Sequence, residues 1–429
     1  MKRLAGVMFI LGTGLASAQA PMGQGANPNT LTSLTGQFFG GDFFNAYGYF
    51  NGVYDSRPTT LQSGSNGGMG FSVGGGASAS KSFSDALLSF SYRGEYRNFP
   101  SGFQGSGTNQ SLSLVFTKRL SRRWSFSHTD SAGMVLYGNG FFGSTSSGGG
   151  IPTNPFSPST RFLSSSAYFT YTQSRRLSYT FGGNLFLSRY NYPGATGTTG
   201  ASFSGSLIYQ LTARTKIGGT YSHDNYYYQN NAGTSNIDGG FFNLQHLFGR
   251  AWQTTLSVGV SHVHTQGTIT LPIQIIIPGL GPTVIGYQTG TYNTTKDVPT
   301  IQAGVNYHFG NYVVGANGGR GVNPGNGTFL TSTHTSFGGF ISRRLSERAL
   351  ISGNSYFSRM TSIANAVAQS YSQAYTTVTY SRTVTPHISV NFNYMYNRYG
   401  SLLGLGQATD NRFTAGISFS TKNVPFTLF

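Results

Sequence analysis

Apolar and polar residues alternate along most of the chain from about residue 47 onward, in runs of 10 to 14 residues. The clearest run extends from Ile388 to Tyr399, where every second residue is apolar or aromatic and polar residues such as Asn391 and Asn393 lie between them. The same pattern recurs at Ala86–Phe99, Ile301–Phe309 and Arg412–Ser420. A period of two predicts β-strands that have one apolar face and one polar face.

Short turns separate these runs at regular intervals. Seven of them are evident: Arg119–Arg123, Gln173–Leu177, Gln210–Arg214, His246–Arg250, His308–Asn311, Arg344–Arg348 and Arg382–His387. Longer, polar, Gly-rich stretches alternate with them, at 100–108, 139–161, 191–199, 229–236, 266–296, 323–330, 361–369 and 399–408. The chain is therefore predicted to be a string of antiparallel hairpins, with tight turns at one end and longer loops at the other.

This pattern predicts a single closed antiparallel transmembrane β-barrel of about 18 strands, with 16 also compatible. In a bilayer every backbone N–H and C=O group must be paired within the protein, so strands can cross only as a closed barrel. The first three predicted strands are Tyr47–Asp55, Met69–Lys81 and Ala86–Phe99, and the last three are Ser370–Arg382, Ile388–Tyr399 and Asn411–Lys422. A soluble β-sandwich is the alternative, but it would need a charged outer face, and the polar face here is mainly Ser, Thr, Asn and Gly.

Alternating strands, short turns and longer loops together resemble the bacterial outer-membrane β-barrel superfamily, porin-like channels in particular, over about 47–429. The resemblance implies short periplasmic turns, longer extracellular loops and an outer-membrane location. It also implies contact with outer-membrane lipid and with the barrel-assembly machinery. Phe429 matches the usual C-terminal aromatic residue, whereas Pro425 and Thr427 depart from the alternation before it, so the assembly signal is degenerate.

Composition argues against several other classes of protein. The chain has no Cys, which excludes disulfide scaffolds, thiolate metal sites and cysteine nucleophiles. Its mean hydropathy of −0.19, without a second apolar run near 20 residues, argues against a helical membrane protein. An aromatic content of 15% argues against a disordered chain, although only 9% of residues are charged.

The N-terminus predicts export from the cytoplasm. Lys2 and Arg3 precede an apolar run from Leu4 to Leu15, and Ala16–Ala18 provides a small-residue cleavage site. The predicted organisation is therefore a signal peptide at 1–18, a flexible periplasmic segment at 19–42 and the barrel at 43–429. A membrane anchor is the alternative, but the apolar run is too short to span comfortably.

Successive residues of a strand point to opposite faces of the sheet, so odd or even position along each strand (its parity) assigns every residue to one face of the wall. The residues predicted to face lipid are Phe90, Tyr92, Phe181, Leu185, Ile301, Val305, Phe392 and Tyr394. The residues predicted to face the lumen are Ser91, Arg93, Arg97, Thr180, Asn184, Asn306, Asn391 and Asn393. A lumen wall of this kind suits an aqueous channel.

Positive charge concentrates near the tight turns. The predicted periplasmic rim contains Arg119, Arg122, Arg123, Arg175, Arg176, Arg214, Arg250, Arg343, Arg344 and Arg348. Few acidic residues oppose them there: Asp42, Asp85 and Glu347. The rim could concentrate anions at the channel mouth, or it could contact lipid phosphates of the inner leaflet. Its dispersal over a membrane rim argues against a nucleic-acid partner.

Three further arginines, Arg189, Arg359 and Arg398, share the parity of the apolar face. Each lies 11 to 13 residues beyond a tight turn, at the height of the lipid headgroups. An arginine there can bind phosphate bidentately, so we predict contact with outer-leaflet glycolipid phosphates. The expected flanking girdle is Tyr190, Tyr192 and Tyr399. A solvated charge at the loop edge is the alternative.

Catalytic and metal chemistry have little support in the sequence. His262 and His264 share a strand face and form a possible metal pair, but no carboxylate partner is evident. His223 and Asp224 are neighbours on opposite faces and cannot form a direct dyad. No motif fixes an orienting carboxylate beside a His–Ser pair. We therefore predict that the protein is not an enzyme and uses neither a cofactor nor a metal.

The glycine run at 74–76, followed by Lys81, superficially resembles a phosphate-binding loop. The second required glycine is missing and no helix follows, so the run instead predicts a strand that needs small side chains. A second unusual stretch is 266–296, where Ile269, Leu271 and Ile273 begin an alternating apolar face. That stretch could constrict the lumen, form a hairpin beyond the membrane or bind another surface protein.

Three functions fit the predicted barrel. The leading hypothesis is passive or semi-selective passage of small hydrophilic solutes, because a barrel of 16 to 18 strands encloses an aqueous lumen. The second is an export pore for a surface polysaccharide or secreted product. The third is a structural or adhesive surface barrel. The sequence specifies neither the solute nor the oligomeric state.

Overall fold

A computed structural model describes residues 42–56, 67–99, 106–136, 159–191, 195–249, 251–277, 281–324, 330–363, 370–400 and 408–421. It contains 18 strands in one sheet. Their bounds are β1 Phe43–Asp55, β2 Gly68–Ser82, β3 Ala86–Asn98, β4 Gly107–Arg119, β5 Trp124–Leu136, β6 Ser159–Thr172, β7 Leu177–Tyr190, β8 Thr198–Gln210, β9 Thr215–Tyr228, β10 Gly233–Phe248, β11 Trp252–Ile277, β12 Gly281–Phe309, β13 Tyr312–Pro324, β14 Thr331–Ser346, β15 Ala349–Ser362, β16 Ser370–Thr385, β17 Ile388–Tyr399 and β18 Ala408–Ser420.

Each strand pairs with its sequence neighbours in antiparallel register, and β1 also pairs with β18, so the sheet closes on itself. This confirms the predicted closed antiparallel barrel and the strand number of 18. The tight turns lie at the end where β1 begins and β18 ends, since Tyr47 pairs with Ser420. Within the described ranges there is no helix long and apolar enough to cross a membrane.

The two faces of the wall differ sharply in side-chain size and exposure. Phe90, Leu185 and Phe392 on one face are 40%, 63% and 54% exposed. Small polar residues on the other face are buried, for example Ser166 and Thr379. Cross-strand aromatic contacts follow from the register on the apolar face, and Trp124 and Tyr171 have ring centroids 4.8 Å apart. This apolar face is the outer surface, because side chains from distant strands meet on the opposite face.

Hydroxyl side chains define the recurring tight turns. Ser121 Oγ accepts hydrogen bonds from the backbone N–H groups of Arg123 and Trp124, at 3.2 and 3.1 Å. The equivalent hydroxyls of Ser174, Thr212 and Thr385 accept from the residues two and three positions later in their own turns. The short Ser/Thr-containing motifs in the sequence are therefore turns with a specific local hydrogen-bond pattern.

The described residues of the stretch 266–296 belong to strands β11 and β12, so of the alternatives left by the sequence they form a hairpin and not an irregular loop. β11 and β12 have 26 and 29 residues and remain paired from Trp252–Tyr307 to Ile277–Gly281. β10 accompanies this hairpin only as far as Gly267, and β13 only as far as Ile301. The hairpin therefore extends beyond its neighbouring strands, as its alternating isoleucines would favour.

Several predictions lie outside the described residues. The signal peptide at 1–18, most of the segment at 19–42 and the C-terminal Phe429 belong to this group, as does Arg250. The domain boundaries therefore stay predictions.

Candidate functional site

Charged side chains on the inner face of β18, β1 and β3 lie close together where the barrel closes, on either side of the glycine-rich strand β2. Asp55, the last residue of β1, pairs in register with Arg412 of β18. Arg412 donates from Nε and Nη2 to Asp55 Oδ2, at 2.8 and 2.5 Å. Their side chains are only 6% and 1% exposed, and Asp410 lies 3.9 Å from Arg412. A buried charge is retained only when it is paired, so this contact joins the two ends of the sheet.

Arg93, Glu95 and Arg97 continue the charged group along β3. Glu95 lies 3.8 Å from Arg93 and 3.4 Å from Arg97. The guanidinium of Arg93 lies 5.7 Å from the centre of the Tyr49 ring and donates to the Tyr49 hydroxyl at 3.4 Å. The Arg93 side chain is 29% exposed, whereas those of Glu95 and Arg97 are nearly buried. Arg93 is thus the member that meets the lumen most openly.

Glycines of β2 provide the space for this arrangement. A Cβ atom on Gly74 would lie 2.5 Å from the Tyr49 hydroxyl, and one on Gly76 would lie 2.7 Å from the Tyr47 hydroxyl. Both tyrosine rings therefore cover the inner wall where it has no side chains, and Tyr49 supports Arg93. The glycine run belongs to a strand that needs small side chains, as its sequence suggested.

The remaining predicted lumen residues lie on the inner face at separate positions. Asn184 Oδ1 accepts from Ser164 Oγ at 3.0 Å, and Asn393 Nδ2 donates to Thr379 Oγ1 at 2.7 Å. Asn391 Nδ2 donates to Ser418 Oγ at 3.3 Å. Asn306 lies near Gly315 on β12 and β13, away from the charged group. The inner wall is therefore polar at these positions as well.

The inner face also carries an apolar group that parity alone did not reveal. It comprises Tyr226, Tyr228, Ile237, Val263, Val298 and Ile363, with Phe186, Ala232, Val322 and Leu330 packed against it. The Tyr228 hydroxyl lies 2.7 Å from Thr331 Oγ1, which joins β9 to the start of β14. Thr265 of β11 also donates to Thr331, at 3.3 Å. These contacts narrow the interior at the end opposite the tight turns.

The predicted basic rim lies at the tight-turn end. Its described arginines are exposed, and Arg343 stacks over the Tyr312 ring at 4.9 Å. Arg123 donates to the Tyr171 hydroxyl at 3.5 Å. At the start of β1, Lys81 pairs with Asp42, and the Ser82 N–H donates to Asp42 at 2.7 Å. These two donors lower the pKa of the Asp42 carboxyl.

The outward arginines occupy two sectors of the wall. Arg189 on β7 pairs in register with Arg161 on β6, a partner that the sequence analysis missed. Arg359 and Arg398 lie on β15 and β17, where β16 separates them. The expected girdle is wrong in part. Tyr190 shares the inner face with buried Ser188, whose hydroxyl donates to it at 3.5 Å, and Tyr399 is 9% exposed on the inner face. Tyr192 lies outside the described residues.

Histidines pair with carboxylates on the outer face. His262 Nδ1 lies 2.7 Å from Asp297 on β12, so the expectation that His262 has no carboxylate partner is wrong. His223 pairs with Asp238 of β10 at 2.9 Å, and Asp224 lies on the opposite face, as parity predicts. In the part of the chain that the structure describes, no group of three His, Cys, Asp or Glu side chains is placed to hold a metal ion.

Comparison with known proteins finds neighbours only among structures. No family model and no curated protein matches the chain. A BenF-like porin from Pseudomonas fluorescens Pf-5 is 10% identical over 88% of this chain and 99% of its own, with a TM-score of 0.45. OccK5 (OpdH) of Pseudomonas aeruginosa is 11% identical over 89% and 99%, with a TM-score of 0.44. The outer membrane protein opdK of Pseudomonas aeruginosa is 10% identical over 88% and 98%, with a TM-score of 0.45. Since the likeness is this distant, function must be argued from the residues of this chain.

Proposed function

We propose that the protein is an outer-membrane channel for passive or semi-selective passage of small hydrophilic solutes, with a preference for anions. The observation that carries this proposal is the closed wall of 18 strands with an apolar outer face and a polar inner face. An apolar outer surface matches the hydrocarbon of a bilayer, and a polar inner surface matches water. Barrels of 16 to 18 strands are wide enough to enclose an aqueous passage.

The anion preference is inferred from Arg93. Its carboxylate neighbour Glu95 is shared with Arg97 and is largely buried, whereas the Arg93 guanidinium is partly exposed. Cations that line a narrow, low-dielectric passage raise the local concentration of anions. The exposed arginines at the tight-turn end would add to the same field if they reach the periplasmic mouth.

Single-channel recording in planar bilayers tests this function. The purified protein should give ohmic current, and a salt gradient should give a reversal potential of the sign expected for anions. Arg93→Gln should reduce the anion preference, because it removes the most exposed charge of the inner group. Arg359→Gln is the matched control, since it removes one positive charge from the outer face. Cation preference in the wild-type channel would contradict the proposal.

A closed or gated barrel is the second candidate, and the Tyr228–Thr331 contact favours it. Apolar side chains that pack together on the inner face reduce the open cross-section of the lumen. If it closes the channel, the wild-type protein should give no current and Tyr228→Ala should restore it. Deletion of 268–288 separates this effect from the long hairpin. Current that grows after the deletion assigns the constriction to the hairpin instead.

A further inference from the structure

Two arginines face outward as direct partners on neighbouring strands. Arg161 of β6 and Arg189 of β7 are paired in register, and the next outward pair below them is Leu163 with Leu187. Leu163 is 50% exposed and Leu185 is 63% exposed, so the arginines lie at the edge of the apolar surface. Like charges placed directly opposite each other on a sheet destabilise it. The pair therefore needs a compensating group.

The protein supplies no compensating charge within the described residues. None of the ion pairs there includes either guanidinium. Arg189 Nη1 donates to the Ser188 carbonyl at 3.2 Å. With its amide oriented to accept, the Gln229 oxygen lies 2.7 to 3.1 Å from Arg189 Nε, Nη1 and Nη2. This neutral partner fixes the guanidinium in position and leaves its charge in place.

The position of Gln229 strengthens the argument for a prepared site. Gln229 lies in the turn between β9 and β10, and its backbone N–H donates to the Gly197 carbonyl at 2.9 Å. Arg189 is therefore held from the β9–β10 turn while it remains partly exposed, and Arg161 beside it is exposed. Two adjacent cations, one of them held in place, form a positive site on the outer wall.

We propose that Arg161 and Arg189 together bind the phosphate of a lipid headgroup in the outer leaflet. Guanidinium groups bind phosphate bidentately, and two of them can share one phosphate group or one diphosphate. The exposed leucines below the pair place it at the boundary between hydrocarbon and headgroups. A phosphorylated glycolipid fits both features, because its acyl chains would cover the leucines. The site is independent of solute passage, since it lies on the outside of the barrel.

The test is thermal unfolding of the full-length protein in detergent with added ligands. The ligands are lipopolysaccharide, the same glycolipid after enzymatic dephosphorylation, and inorganic phosphate. The variants are Arg161→Gln/Arg189→Gln and, as the matched control, Arg175→Gln/Arg176→Gln, which removes two exposed charges from the tight turn at the other end of the same β6–β7 hairpin. Arg161→Lys/Arg189→Lys keeps the charge and removes the bidentate geometry.

Lipopolysaccharide should raise the unfolding temperature of the wild type and of the control. The Arg161→Gln/Arg189→Gln variant should bind it about tenfold more weakly or worse, and the lysine variant should be intermediate. A stabilising effect of inorganic phosphate that disappears in the same glutamine variant supports the phosphate site and assigns it a soluble ligand as well. Equal stabilisation by dephosphorylated glycolipid, or an unchanged shift in the glutamine variant, would overturn the proposal. Because the readout is thermal unfolding, the result does not depend on whether the barrel conducts solutes.

Discussion

Asp55 and Arg412 close the barrel from the inside. They lie on the first and last strands, 357 residues apart, and Arg412 Nε and Nη2 both donate to the same carboxylate oxygen. Both side chains are nearly inaccessible to solvent. The Asp55–Arg412 contact adds charge-assisted hydrogen bonds to the backbone hydrogen bonds between β1 and β18. It lies at the end of these strands opposite the tight turns.

Removing Arg412 alone should be worse than removing both partners of this pair. Arg412→Ala leaves the buried Asp55 carboxylate without its cation, at a cost of about 3–5 kcal/mol, whereas Asp55→Ala should cost less because Arg412 keeps Asp410 at 3.9 Å. The Asp55→Ala/Arg412→Ala variant should recover part of that loss. Urea unfolding in lipid vesicles measures the three free energies, and additive single-variant effects would show that the pair is not coupled.

The Tyr49 ring occupies the space in which a side chain on Gly74 would lie. Gly74→Ala puts a methyl group 2.5 Å from both the Tyr49 hydroxyl and the Gly94 carbonyl oxygen. Overpacking of this kind costs about 1–3 kcal/mol. It should also displace Tyr49 and so change the contribution of Arg93 to ion selectivity. Gly205→Ala is the control, since no atom lies within 4 Å of its added Cβ, and it should leave both properties unchanged.

His128 and Asp130 form an ionisable pair on the apolar outer surface, which the proposed function places in lipid. His128 Nε2 lies 2.9 Å from Asp130 Oδ2, on the same face of β5 as Trp124 and Phe126. Asp130 lies six residues above Trp124, about 15 Å along the bilayer normal for a tilted strand. His128→Leu/Asp130→Leu should therefore be neutral or stabilising in vesicles, whereas His128→Leu alone should destabilise the barrel. A destabilised double variant would indicate that this surface meets something other than lipid hydrocarbon.

The start of β1 should depend on pH through Asp42. Hydrogen bonds from Lys81 and the Ser82 N–H lower the pKa of Asp42 below its usual value of 3.8. A lowered carboxyl pKa means that this contribution to stability is present above about pH 4 and is lost as pH falls through the folded-state pKa. Hydrogen exchange of the Ser82 amide should accelerate relative to its intrinsic rate in that range. In Asp42→Asn that pH-dependent acceleration should be absent.

Local patterns predicted most of the wall, because strand alternation and turn chemistry are properties of neighbouring residues. Ile388–Tyr399 was predicted with its observed bounds, since its flanking turn and alternation are unambiguous. The sequence places the stretch that forms the long β11–β12 hairpin among the longer connections between strands, with a hairpin beyond the membrane as one of three alternatives, because its alternation alone does not show what it pairs with. A period of two continues through that stretch, and hydrogen-bond pairing follows it.

Side-chain contacts between strands could not be predicted. The pairing of Asp55 with Arg412, of His262 with Asp297 and of Arg161 with Arg189 depends on register, which a one-residue slip would change. Parity alone does not show that Tyr49 and Glu95 contact the Arg93 side chain, because both contacts depend on the register of β1, β2 and β3. The inward position of Tyr190 follows from its parity with Ser188, which the girdle prediction did not apply.

The central claim is that the polar face lines a water-filled passage, and cysteine accessibility tests it most directly. The chain has no cysteine, so Asn393→Cys and Phe392→Cys each introduce a single thiol on adjacent residues of opposite parity. During single-channel recording, a membrane-impermeant charged thiol reagent should reduce the current of Asn393→Cys stepwise and leave Phe392→Cys unchanged. Reaction at Phe392→Cys with none at Asn393→Cys, or no current in either variant, would contradict the account.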